Sequence, residues 1–133
     1  MRRNTMQRRV VHQAVEQLDH PTAEGIYNRV AEMFPEIGLS TVYRNINVLA
    51  QQGEIQRLVV PGQAERYDAD PTDHYHYLCD KCGRIYDVPM PYRQSLNEEF
   101  AACLGQDVRT HTILLQGVCN ACRAAEEKED FAG

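Results

Sequence analysis

The sequence contains no apolar run approaching the roughly 18 residues that span a bilayer, so no membrane-crossing helix is expected. It contains no internal repeat and no low-complexity segment. With 43% hydrophobic and 25% charged residues it is neither a disordered tail nor a fibre. Nothing behind Met1-Arg2-Arg3-Asn4 has the apolar stretch of a signal peptide, so a cytoplasmic protein without a membrane partner is expected. Positive charge is also not in excess. The net charge is −5, which argues against non-specific polyanion binding but leaves room for a local arginine-lined surface.

What is present is unevenly spread. Residues 1–60 carry seven arginines against six acids, whereas residues 61–133 carry seven bases against thirteen acids. A near-neutral half joined to an acidic half suggests two lobes with different tasks. A length of 133 residues allows one small domain or two very small ones.

The first lobe reads as three helices and a hairpin. Val10, Val11, Ala14, Val15 and Leu18 recur with helical period after Thr5, and Asp19-His20-Pro21 ends the run. Thr22 is placed to cap a second helix carrying Ile26, Val30 and Phe34. Ser40 is expected to cap a third, with Val42, Ile46 and Leu49 on one face and Gly53 as its stop. Glu54–Val60 and Gln63–Ala69 read as strands around Pro61-Gly62. This is a winged helix-turn-helix pattern. Its third helix carries Ser40, Thr41, Tyr43, Arg44, Asn45 and Asn47 off the apolar face, residue types that read base edges and hold phosphates. The plainer alternative is a solvated face of a protein-interaction module.

Residues 70–73 form a plausible hinge between a domain at 1–69 and a second at 74–133. The second reads as α/β: strands at Tyr75–Leu78, Arg84–Val88 and Val108–Leu115, and a helix with Leu96, Phe100, Cys103 and Leu104 on one face. Cys103 is therefore expected as a small core residue, and Arg123–Gly133 as a frayed charged tail. The overall expectation is an α+β fold. A domain of about 60 residues often needs a staple or a partner.

A staple is available. Cys79-Asp80-Lys81-Cys82-Gly83 and Cys119-Asn120-Ala121-Cys122 are two Cys-x-x-Cys pairs 36 residues apart. Each can offer two thiolates, and together they complete a closed tetrahedral site of the structural zinc kind. The rival, a redox dithiol, needs a Cys-x-x-Cys opening a helix in a thioredoxin-like context that this sequence does not supply.

A second, harder donor set is His20, Asp68, His74, His76 and Asp87. Alternation along a strand places His74 and His76 on the same side. Three imidazoles and two carboxylates suit Fe2+ or Mn2+ better than a thiophilic ion, and five ligands leave one octahedral position open. Taken singly, each has a blander reading as a surface histidine or a solvated acid.

At this point the chain resembles the ferric uptake regulator family over nearly its whole length. The resemblance rests on Thr5-Met6-Gln7-Arg8, His20-Pro21-Thr22-Ala23, Ser40-Thr41-Val42-Tyr43-Arg44-Asn45, Asp73-His74-Tyr75-His76 and both cysteine pairs. It implies a homodimeric, metal-dependent repressor, with the four cysteines on zinc and the five nitrogen and oxygen ligands in a regulatory site. Within the family it is most similar to the peroxide-responsive branch, because Asp68 and Asp87 stand where iron sensors usually have glutamate.

That branch implies iron-catalysed oxidation of a ligating imidazole, at the positions of His20 and His74, followed by release of a pseudo-palindromic DNA operator. The DNA contacts fall on Ser40, Thr41, Tyr43, Arg44 and Asn45. This is a stoichiometric sensor and not an enzyme. An iron-responsive repressor of metal-uptake genes is the nearest rival, and a non-haem metal enzyme a more distant one. There are departures from the pattern. Met6 replaces a common proline, and the basic leading segment is reduced to Arg2 and Arg3. His111 matches an extra metal site of iron sensors, but Tyr75 and Gln94 are poor ligands there, so that site is expected to be incomplete.

Overall fold

The computed structural model describes residues 2–132, with side chains over residues 5–128. The chain divides into two compact units, Met1–Thr72 and Asp73–Gly133.

The first unit contains α1 (Arg2–Gln17), α2 (Ala23–Met33), α3 (Leu39–Gln51) and a hairpin of β1 (Gln56–Leu58) and β2 (Arg66–Asp68). Its core is built from the apolar stripes read in the sequence: Val11, Ala14 and Val15 from α1, Ile26 and Val30 from α2, and Val42, Ile46 and Leu49 from α3. Full burial of one such aliphatic side chain contributes about 1.5–3 kcal/mol, so this interface sets the packing of the three helices. Thr22 caps α2 as expected, its hydroxyl accepting from the Gly25 N–H at 3.1 Å.

Ser40 does not cap α3. Gly38 holds the cap position in extended backbone, without a side-chain hydrogen bond, and Ser40 already lies in the first turn. The hairpin strands are shorter than the apolar patterning suggested. Only three residue pairs, Gln56–Asp68 to Leu58–Arg66, are in register, while Val59 at the tip is 71% exposed.

The second unit contains β3 (His76–Cys79), β4 (Ile85–Asp87), α4 (Ser95–Leu104), β5 (Leu114–Gly117) and α5 (Asn120–Ala132). The sheet order is β4-β3-β5, with β3 antiparallel to β4 and parallel to β5. Together the two units form an α+β fold. Three expectations are corrected here. The last strand begins at Leu114 rather than Val108. Residues 123–132 continue a helix rather than fraying, because α5 carries four alanines and three glutamates, which favour helix, while Gly133 lies outside the described residues. Cys103 is exposed, together with Phe100 and Leu104, because none of the described residues covers that face of α4.

Candidate metal centres and nucleic-acid interface

In the second unit the cysteine pairs close on each other. Cys79 ends β3, Cys82 sits in the turn before Gly83, Cys119 follows β5, and Cys122 lies in the first turn of α5. Gly83 takes φ +76, the left-handed conformation that lets the first knuckle turn back. The four Sγ atoms lie within 4.8 Å of one another, with Cys79–Cys122 at 3.7 Å and Cys82–Cys119 at 3.9 Å. A tetrahedron of ~2.3 Å Zn–S bonds separates its sulfurs by about 3.8 Å, so the donors fit zinc without rearrangement.

The backbone prepares these thiols to ionise. The N–H groups of Cys119 and Cys82 point at the Cys79 sulfur, at 3.3 and 3.4 Å, and pull its pKa down to about 6. Cys119 is lowered by the Cys122 N–H and then by the Tyr86 hydroxyl. Cys122 is pushed the other way, to about 12, chiefly through its hydrogen bonding with Cys119. The protein's own dipoles thus favour some thiolates and disfavour another, and a divalent cation is what would ionise all four.

The harder donors appear in both units. In the first, His20 lies in the α1–α2 connection with φ 44, uncommon for a residue with a Cβ. Arg66 donates from its guanidinium to the His20 carbonyl, and Tyr67 N–H to the Pro21 carbonyl at 2.9 Å, which docks β2 against this connection. That docking brings Asp68, only 7% exposed, to His20: Oδ2 lies 3.3 Å from Nε2. Asp68 Oδ1 accepts from the Asp70 N–H at 2.9 Å. On the other side of the ring, His20 Nδ1 lies 2.7 Å from Asp19 Oδ1. A carboxylate at Nδ1 favours the proton there, leaving Nε2 as a lone pair facing a carboxylate. Two electron-pair donors at that spacing fit a shared cation. Asp19 was not singled out in the sequence, and its adjacency to His20 is the signal that could have found it.

In the second unit His74 and His76 converge on one carboxylate. Their Nε2 atoms lie 3.1 and 3.3 Å from Asp87 Oδ1, and their ring centroids are 4.3 Å apart. This arrangement again presents nitrogen and oxygen donors to one point, chemistry that fits Fe2+ or Mn2+.

Tyr75, between the paired imidazoles in sequence and just before β3, engages a different set of partners. Its hydroxyl meets His111 Nε2 at 2.7 Å, His111 Nδ1 meets Asn97 Oδ1 at 2.7 Å, and the ring stacks on Tyr92 at 4.4 Å. Both His111 nitrogens are therefore engaged by hydrogen bonds.

Along α3, Ser40, Tyr43 and Arg44 are exposed and Thr41 is half-buried. Asn45 departs from the expected surface. It is 3% exposed, faces the core of the unit and hydrogen-bonds Arg8 of α1, which withdraws its side chain from any groove. Arg57 on β1 supplies a charge that the sequence reading passed over, held by Asn47 Oδ1 at 2.6 Å and Glu65 at 3.1 Å.

The model of the ferric uptake regulator family matches residues 2–116. The chain belongs to the ferric uptake regulator family. Members of this family are transcription regulators, not enzymes. Among curated relatives, the peroxide operon regulator of Bacillus subtilis is 33% identical over 117 residues, 88% of this chain and 81% of that protein. Among solved structures, the Campylobacter jejuni peroxide stress regulator is 28% identical with a TM-score of 0.74, covering 90% of this chain and 91% of that one. A zinc uptake regulator complexed with zinc and DNA is 25% identical with a TM-score of 0.72, covering 91% and 83%. No helix among the described residues is long and apolar enough to cross a membrane.

Proposed function

We propose that this family member is a homodimeric, metal-dependent repressor that senses peroxide by oxidation of a ligating histidine. In this reading residues 1–69 bind DNA, 70–73 are the hinge and 74–133 hold the dimer and the structural zinc on Cys79, Cys82, Cys119 and Cys122. His20, Asp68, His74, His76 and Asp87 bind one regulatory Fe2+ or Mn2+. As a DNA-binding regulator it works in the cytoplasm.

The observation that carries the reading is the donor chemistry. His20 Nε2 faces Asp68, and the Nε2 atoms of His74 and His76 face Asp87. Aspartate stands at both acidic positions, and relatives with peroxide-regulator names support the same branch. Iron, when bound, supplies the reduction of peroxide that generates the oxidant. His20 and His74 would be among the residues holding that ion, and an oxidised ring would be a weaker ligand.

Because the ligands are drawn from the wing, the α1–α2 connection and the sheet of the second unit, one ion would select a closed dimer. In that state two α3 helices fit successive major-groove segments of a pseudo-palindrome. Tyr43 and Arg44 would meet base edges, while Ser40 and Thr41 would meet phosphates or bases. A coupling of about 1–3 kcal/mol per site is typical of such allostery.

The test is anaerobic loading with Fe2+, addition of about one equivalent of hydrogen peroxide, and peptide mass spectrometry against a Mn2+ control. Trypsin releases Val10–Arg29, containing His20, and Tyr67–Lys81, containing His74 and His76. One added oxygen on His20 or His74 with iron alone is expected. Unmodified peptides with iron-dependent DNA binding would instead establish an iron-responsive repressor.

A further inference from the structure

We propose that Arg8 determines sequence specificity without reading a base: through Asn45 it sets the rotation of α3. The proposal rests on the DNA-binding reading above.

The buried face of α3 consists of Val42, Asn45, Ile46 and Leu49. Val42, Ile46 and Leu49 are at most 2% exposed and pack by apolar contact, which is non-directional and tolerates small rotations of the helix. Asn45 is the polar member of this set, and its amide is engaged at both ends. Its Nδ2–H donates to the Thr41 carbonyl at 3.0 Å, and its Oδ1 accepts from Arg8 Nε–H at 3.2 Å. The first bond ties Asn45 to the opening turn of α3, and the second ties that turn to α1. Hydrogen bonds weaken steeply with angle, so this chain of contacts resists a rotation that the apolar contacts allow.

Tyr43 lies two residues from Asn45, about 200° around the helix, and Arg44 about 100°. Asn45 is thus held almost opposite the exposed Tyr43, and turning the inner face turns the outer one equally. A planar guanidinium offers Nε–H along a fixed direction; a lysine ammonium keeps the charge but not that geometry. The Thr5-Met6-Gln7-Arg8 motif therefore acts on recognition from the far side of the reading helix.

The experiment compares wild type, Arg8→Lys, Arg8→Gln, Asn45→Ala and the Arg8→Gln/Asn45→Ala double variant, all loaded with zinc and Mn2+. Each is titrated against a duplex that the wild type selects from random sequence, and against a scrambled duplex, over a range of salt. Both Arg8 variants are expected to lose at least roughly tenfold in the specific-to-scrambled ratio, the order of one good base contact. Asn45→Ala should lose a similar factor, and the double variant no more than the larger single loss.

A wild-type ratio in Arg8→Lys, with Arg8→Gln losing both affinities and about 0.9 in salt slope, would make Arg8 a phosphate contact and overturn the proposal. An unchanged ratio with only a lower melting temperature would make it a packing residue and also overturn it. If Arg8→Gln does not fold, Arg8→Lys carries the comparison. A wild type that selects no duplex would defeat the DNA-binding reading itself, a distinct result.

Discussion

His76 and Asp87 are register partners across the β3–β4 ladder, and their side chains meet with Nε2 3.3 Å from Oδ1. Partners directly opposite in an antiparallel pair project to the same face, so the ladder itself brings imidazole to carboxylate. His74, two residues upstream, reaches the same oxygen at 3.1 Å. The sheet thus sets His76 against Asp87, and His74, just before β3, joins them.

Removing that carboxylate should weaken regulatory metal binding more than removing a supporting contact, which typically costs 10–100-fold. Asp87→Ala is expected to lower Mn2+ affinity by at least roughly 100-fold while leaving one zinc per chain. Titration calorimetry with Mn2+ and elemental analysis for zinc check both halves. Retained Mn2+ affinity would remove Asp87 from the site.

Asp19 should matter without touching the ion. Its carboxylate lies 2.7 Å from His20 Nδ1, so Asp19→Ala frees the ring to take the other tautomer. The expected loss in Mn2+ affinity is about 10–100-fold, with unchanged folding. Nitrogen NMR of labelled histidine should show the His20 proton leaving Nδ1. An unchanged spectrum would show that Asp19 does not set the tautomer.

Zinc removal should unmask a pH dependence set by Cys79. Its folded pKa is lowered from 9.0 to about 6 by two backbone N–H groups, so between those values the unfolded chain binds more protons. The contribution is present above pH 9 and is lost as pH falls through about 6. Cys122, raised to about 12, acts oppositely: its contribution is present below pH 9 and is lost as pH rises toward 12. Metal-free protein should accordingly gain stability from pH 6 to 9; Cys119, also lowered, acts in the same sense, so Cys79→Ala should reduce that rise without abolishing it. Chemical denaturation at stepped pH provides the measurement.

Two substitutions in the first unit separate folding from recognition. Thr22→Ala removes the α2 cap and should cost about 1 kcal/mol in urea denaturation. Arg44→Ala leaves an exposed position and should not move that midpoint, but should weaken binding to the selected duplex by about 1–3 kcal/mol and relax preference at one base pair.

Much of this protein was readable in one dimension. Helical periodicity in Val11, Ala14, Val15, Ile26, Val30, Val42, Ile46 and Leu49 gave the first core, because burial on a helix follows a 3.6-residue repeat. The spacing of Cys79, Cys82, Cys119 and Cys122 identified a tetrahedral donor set, since each knuckle is a local turn and the pairing of two such turns is a metal's requirement. Strand alternation anticipated that His74 and His76 share a side.

What only the tertiary structure decided was the direction and cover of side chains between distant elements. Asn45 looks like a groove reader on the α3 wheel, yet Arg8, 37 positions away, draws it inward, because a buried amide must find partners wherever the packing supplies them. Cys103 looks like core on the α4 stripe, yet it is exposed among the described residues. Asp68 meets His20 because Arg66 and Tyr67 dock the wing onto the α1–α2 connection. Local patterning is set by the period of the backbone, whereas contacts such as these depend on how separate elements pack, which no window along the chain contains.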